Sequence, residues 1–323
     1  MRHCPVADTR RTSRLAGPTS TRALSAEGTH RAAFTTLDYG YMLGSSGIWG
    51  VSFILIATSL ERFAPGVVTF VRITVGAIVL GLFPGARTPV ERTDRWRVLA
   101  LAVLWLALPM TLYPIAQQHI SSGLAGMLGA SIPAFTALVA AFALGHLPAP
   151  IHQLGIAIGG IGIVLLGLPA LGDGGNSVFG VGLIVAACIC YGLAFNVAVP
   201  LVQHYGAMPV FWRALVISVP MTAPYALIGL HRSSFGINSL VANVVLGAGG
   251  TAIAFVLLLT LTARAGATRS SMVTYLEATF AFVLGTIVRH EPIRPLEVIG
   301  CSVLLVGAWL ATRADVRSGA ATG

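Results

Sequence analysis

From about residue 37 to about residue 313 the chain is a succession of apolar stretches of roughly 18 to 23 residues with short gaps, each long enough to cross ~30 Å of hydrocarbon as a helix. A water-soluble core has no need for that length so many times over. In lipid, a helix satisfies all of its own backbone hydrogen bonds, which is what a membrane span requires. The stretches predict helices at 39–59, 66–85, 98–117, 122–144, 151–170, 178–200, 209–230, 240–262, 267–288 and 294–312. Composition points the same way: 10% of residues are charged, against about a quarter in soluble domains, and the mean hydropathy is +0.83. The expected class is an all-α integral membrane protein of about ten transmembrane helices.

The net charge of +9 does not form a basic face of the kind that binds nucleic acid. Lysine is absent, and apart from Arg72 and Arg213 the arginines sit in the terminal segments and in or beside the gaps between apolar runs. If the N-terminus is cytoplasmic, that side receives Arg87, Arg92, Arg95, Arg97, Arg264, Arg269, Arg313 and Arg317 besides the six tail arginines. The other side receives Arg62, Arg232, Arg289 and Arg294. The positive-inside bias therefore predicts a multi-pass protein of the cell (inner) membrane with both termini cytoplasmic. Residues 1–36 lack the apolar core of a secretory signal and are expected to be a disordered cytoplasmic tail; a transit peptide or a misplaced start stays open. Residues 314–323 form a second tail. Cys4, Cys188, Cys190 and Cys301 show neither metal-ligand nor disulfide spacing, so no metal or cofactor is expected.

The second half of the chain can be laid on the first. Trp49-Gly50-Val-Ser-Phe53 matches Tyr191-Gly192-Leu-Ala-Phe195, and Phe70-Val-Arg72 matches Phe211-Trp-Arg213. Ser131-Ile132-Pro133 falls on Leu276-Glu277-Ala278, and Gly155 and Gly162 fall on Gly300 and Gly307. The two repeats are 37–172 and 173–313, each of five helices. An odd number of spans turns the second copy upside down, and inverted repeats are a device of transporters.

These motifs, together with Gly250-Thr251-Ala-Ile-Ala and Arg264-Ala-Gly266-Ala267-Thr268-Arg269 leading into Tyr275-Leu-Glu277, resemble the drug/metabolite transporter superfamily, and within it the EamA-type ten-helix proteins. The resemblance implies helices one to four and six to nine around a central cavity, with helices five and ten outside. It also implies export of amino acids, other metabolites or drugs. The chain departs from the family pattern at His146, where a glutamate is common, and at Ala278, where a proline is common.

Within the spans few residues ionise, and each costs ~2.5 kcal/mol or more at membrane depth unless it faces a cavity or a partner. Arg72 and Arg213 either bind an anionic substrate group or gate the cavity, or they snorkel to the nearer interface. Glu277, at mid-helix, reaches neither interface and is the candidate for proton coupling or for a substrate amine; a structural hydrogen bond is the alternative. Trp49 and Tyr191 are candidate cavity aromatics, with plain packing as the alternative. Tyr113, Gln117, Asn196 and Tyr275 could orient a polar solute or join helices. Pro133 is a candidate hinge, and Ala278 leaves the second copy without one.

No HExxH, GxSxG or Walker loop is present, so an enzyme is not expected. The reading is a secondary-active transporter exporting a small metabolite by alternating access, proton-coupled or by exchange. A non-transporting binding or sensory protein on the same fold is the alternative. The expected partners are a small-molecule substrate and membrane lipid, with no nucleic acid and a homodimer left open.

Overall fold

The computed structural model describes residues 34–144, 150–172, 175–291 and 294–313, and its regular elements are all helical. His146 and both tails lie outside the described residues. Helix α1 (Thr36–Leu60) opens on a capping box between Thr35 and Asp38, which satisfies two of the backbone donors a helix start leaves open. Helix α2 (Pro65–Gly81) starts on proline, tolerated there because a first-turn N–H has no intrahelical partner. There follow α3 (Arg92–Ala116) and α4 (Ser122–Phe142), α5 (Pro150–Gly172), α6 (Gly175–Tyr205) and α7 (Ala207–Leu230). The last three are α8 (Ile237–Ala265) and α9 (Ala267–Arg289) and α10 (Pro295–Arg313).

Seven of the ten are long and apolar enough to cross a bilayer, and the apolar parts of α2, α5 and α10 are shorter. The outward surface carries Phe142, Val164, Leu227 and Ile299, each more than half exposed. In water such a surface would aggregate; in lipid it meets its own solvent. The chain is a multi-pass membrane protein.

The halves interlock rather than lie side by side. Helix α1 packs on α8 and α9 of the other half, and α6 packs on α3 and α4. Helix α2 pairs with α7, α4 with α9 and α5 with α10. Exchanging each helix for its copy five places on maps this set of contacts onto itself. Glycines set the closest approaches: a Cβ at Gly50 would lie 2.2 Å from Phe280 Cβ, and one at Gly192 would lie 2.8 Å from Phe135 Cβ. Both glycine and phenylalanine are repeat-related.

The irregularities also come in pairs. A π-helical segment interrupts α3 at Ala102–Ala107 and α8 at Leu246–Ile253. Helix α4 breaks at Ala130 and Ser131, and α9 breaks at Met272. Pro133, expected in mid-helix, lies beside the first of these breaks. The break precedes it, so Pro133 sits in the first turn of the renewed helix beginning at Ile132, where proline costs little. The second copy, without proline, is interrupted too.

The face holding the ends of α1, α3, α7 and α9 and the starts of α2, α4 and α8 is termed distal; the opposite, proximal, face holds the start of α1.

Candidate functional site

A cavity of about 50 Å³ lies at the centre of the bundle. Helix α1 contributes Trp49, Ser52, Phe53 and Ile56; α2 contributes Arg72; α3 contributes Trp105 and Tyr113; α4 contributes Ile132. Tyr191 and Phe195 come from α6, Phe255 and Leu258 from α8, and Thr274 and Glu277 from α9. Helix α7 supplies none of these residues. Helices α5 and α10 stay outside it, packed on one another.

Half of the lining residues are aromatic. Trp49 meets Phe255 edge-on at 4.9 Å, Trp105 meets Phe195 at 5.0 Å, and Tyr113 lies between Phe53 at 5.7 Å and Tyr191 at 6.2 Å. Such contacts hold rings in fixed orientations. Trp49 is also fixed by donating from Nε1 to the Gly250 carbonyl at 2.8 Å. That carbonyl belongs to the π-helical segment of α8, whose widened turn leaves backbone oxygens free of the usual ladder.

Two ionisable groups stand in this apolar wall. Arg72 is 5% exposed, and its Nε donates to Thr251 Oγ1 at 3.2 Å. Among the described residues its two terminal nitrogens have no partner. A guanidinium carries five N–H donors, and one neutral bond does not offset the ~2.5–3.5 kcal/mol of holding a cation at membrane depth. Burial of Arg72 removes the snorkelling alternative for this residue. Glu277 is 8% exposed and, among the described residues, makes no hydrogen bond or ion pair. The cavity therefore offers a cation from the first half and a carboxyl from the second, not bonded to one another.

The remaining sequence candidates lie elsewhere. Arg213 is outside the cavity: Nη1 donates to the carbonyls of Pro209 at 3.1 Å and Ala86 at 3.4 Å, and Nη2 to that of Arg87 at 3.3 Å. Its guanidinium lies against Trp212. The contacts with Ala86 and Arg87 arise because the Pro84–Arg87 turn comes down on α7 and presents carbonyls there. Asn196 joins helices, donating from Nδ2 to Thr136 O at 3.1 Å and to Gly192 O at 2.9 Å. Gln117 ends α3 with its amide buried and without a partner, away from the lining, and Tyr275 likewise does not line the cavity. Ser52, Trp105, Phe195, Phe255 and Thr274 line it without having been singled out in the sequence. Only Phe195 carried a signal, as the repeat of Phe53.

Polar contacts tie helix ends together on both faces. On the proximal face Arg264 Nε meets Asp38 Oδ1 at 2.6 Å, and Tyr205 donates to Asp94 Oδ2 at 2.8 Å. On the distal face Arg289 pairs with Glu61 at 2.7 Å. There Glu291 also accepts from the Ser122 hydroxyl and from the N–H groups of Ser122 at 2.9 Å and Gly123 at 2.8 Å, capping α4 from the end of α9.

The profile of the EamA-like transporter family matches residues 37–168 and again residues 178–313. The chain is 24% identical over 268 residues to "Uncharacterized transporter YdfC" of Bacillus subtilis, covering 81% of this chain and 86% of that one. It is 25% identical over 277 residues to a Streptantibioticus cattleyicolor protein named "Probable terminal-alkyne amino-acid exporter", covering 82% and 90%. A crystal structure with a TM-score of 0.63 and 20% identity covers 87% of this chain and 98% of its own, and shares the fold.

Proposed function

The chain belongs to the EamA-like transporter family, and from that premise we propose that it is a secondary-active exporter of a zwitterionic, amino-acid-like solute in the cell membrane, with both termini cytoplasmic. The observation that carries the reading is the presence of a guanidinium and a carboxyl, not bonded to one another, in one aromatic cavity. Arg72 holds the solute's carboxylate through its terminal nitrogens, in the bidentate geometry a guanidinium favours. Glu277 holds the amine, and the aromatic wall takes the side chain. The name of the Streptantibioticus relative as an amino-acid exporter supports the same substrate class.

Glu277 also supplies the coupling. A carboxylate alone in this wall is costly, so it takes either the solute's ammonium group or a proton. The two compete for one group, which makes export of solute and entry of a proton alternate. The chain carries no ATP-binding loop, so the gradient is the energy source in this scheme.

The test is flux. Proteoliposomes holding the full chain, loaded with a radiolabelled mixture of the common amino acids, should release label faster when a proton gradient is directed inward. Binding of amino acids with no flux under any gradient would instead favour a sensor on a transporter fold.

A further inference from the structure

At the distal end of the cavity, where Ile56 is part of the wall, a small apolar cluster packs separately from the main core. Ile56 of α1, Val68 of α2 and Leu246 of α8 are each at most 3% exposed and pack together, with Leu60 and Phe63 against them. Val68 stands one helical turn distal of Arg72, and Leu246 lies at the distal end of the π-helical segment that carries Thr251. The cluster therefore lies one layer distal to Arg72 and Thr251, where it can act as a plug.

One turn beyond the plug, on the same face of α8, lies Asn243. It is 0% exposed, and neither its amide nitrogen nor its carbonyl oxygen has a partner. A carboxamide can make up to four hydrogen bonds, and leaving a buried one unpaired is among the costlier things a fold can do. Its neighbours on α8 are well satisfied: Ser239, one turn earlier, donates to the Thr58 carbonyl of α1 at 2.8 Å. An apolar residue of the same size would suit this state better.

Resting on the transport reading above, we propose that Asn243 is a polar relay on the distal exit path. It is dry and unpaired while the Ile56–Val68–Leu246 plug is shut. It hydrogen-bonds the departing solute, or the water that accompanies it, when the distal part of α8 moves off α1 and α2. The π-helical segment at Leu246–Ile253 is the place where α8 can bend, since its backbone bonds are already irregular. The same segment holds both cavity contacts, Trp49 to Gly250 and Arg72 to Thr251, so a solute carboxylate that draws Arg72 off Thr251 acts directly on the bend.

The test uses the full chain with single cysteines and a membrane-impermeant methanethiosulfonate reagent added to either side of vesicles. Glu61→Cys, exposed on the distal face, marks the side. Asn243→Cys should react from that same side despite its burial, whereas Ala214→Cys, equally buried on α7, should not. Asn243→Leu should fold at least as stably as the parent and bind amino acids unchanged, but export them about tenfold more slowly. Failure of Asn243→Cys to react where Glu61→Cys does and the parent shows flux, or normal export by Asn243→Leu, would overturn the relay. Reaction of Asn243→Cys with no flux by the parent would instead overturn the transport reading.

Discussion

Arg72 on α2 and Arg213 on α7 stand at equivalent positions of the two repeats. Arg72 has one neutral partner, Thr251, whereas Arg213 donates to the carbonyls of Ala86, Arg87 and Pro209. The difference lies in the connections between helices. The segment after α2 folds into the Pro84–Arg87 turn and covers Arg213. The segment after α7 goes elsewhere: the Ser233 hydroxyl accepts from Ala64 N, and Ser234 N donates to Arg62 O, capping the start of α2 and leaving Arg72 to the cavity. Glu277 and Ile132 show the same divergence, since both line the cavity and only one is charged. Duplication supplies the frame, and the connections and single substitutions decide which copy keeps a free polar group.

The comparison breaks most sharply at the arginines. Arg72→Gln removes charged hydrogen bonds worth roughly 1.5–3 kcal/mol, so efflux at low solute concentration should fall about 10- to 150-fold. Arg213→Gln should stay within about threefold, because weak carbonyl anchors near an interface contribute little. Equal losses in the two variants would show that the repeats still work alike.

Glu277→Ile makes the second half resemble the first at Ile132. The protein should fold, since an unpaired buried carboxyl is replaced by an apolar side chain, but coupling should disappear. Efflux measured against an imposed pH gradient should become flat in Glu277→Ile and in Glu277→Gln. A retained gradient response would place the proton elsewhere.

The glycine pair tests the frame itself. Gly50→Ala and Gly192→Ala should each lower stability by about 1–3 kcal/mol through overpacking, with Gly50→Ala the worse because its Cβ would meet Phe280 Cβ at 2.2 Å. Gly47→Ala and Gly182→Ala meet nothing within 4 Å and should be neutral. Thermal unfolding in detergent reads all four. A smaller effect than at Gly50 is expected at the aromatics: Trp49→Phe loses the bond to Gly250, worth about 1 kcal/mol, while Tyr191→Phe, with no such bond among the described residues, should leave stability unchanged.

The helices were legible because each bilayer crossing needs a run of apolar residues, and the inverted repeat was legible because Trp49-Gly50 and Tyr191-Gly192 survive at the same tight contact. Arg72, Glu277, Trp49, Tyr113 and Tyr191 could be picked as cavity candidates since each is polar or aromatic inside an apolar span. Arg213 could not be told from Arg72, because the turn that occupies it is set by tertiary folding. Trp105 and Phe255 were hidden for a related reason: in a membrane helix an aromatic facing the cavity and one facing lipid look the same. The π-helical segments leave no periodicity signal over so few residues, and so the role of Gly250 as an acceptor was out of reach. Asn243 had no signal beyond its polarity, and its meaning comes from the absence of partners around it.

The zwitterion pair is tested most directly by separating its charges. Efflux of a mixture of common amino acids from proteoliposomes should be compared with that of the corresponding amino-acid amides, which keep the amine, and deamino acids, which keep the carboxylate. The parent should move the zwitterions best. Arg72→Gln should lose that advantage over the amides, and Glu277→Gln should lose it over the deamino acids. Equal preference for zwitterions in the parent and in both variants would contradict the account.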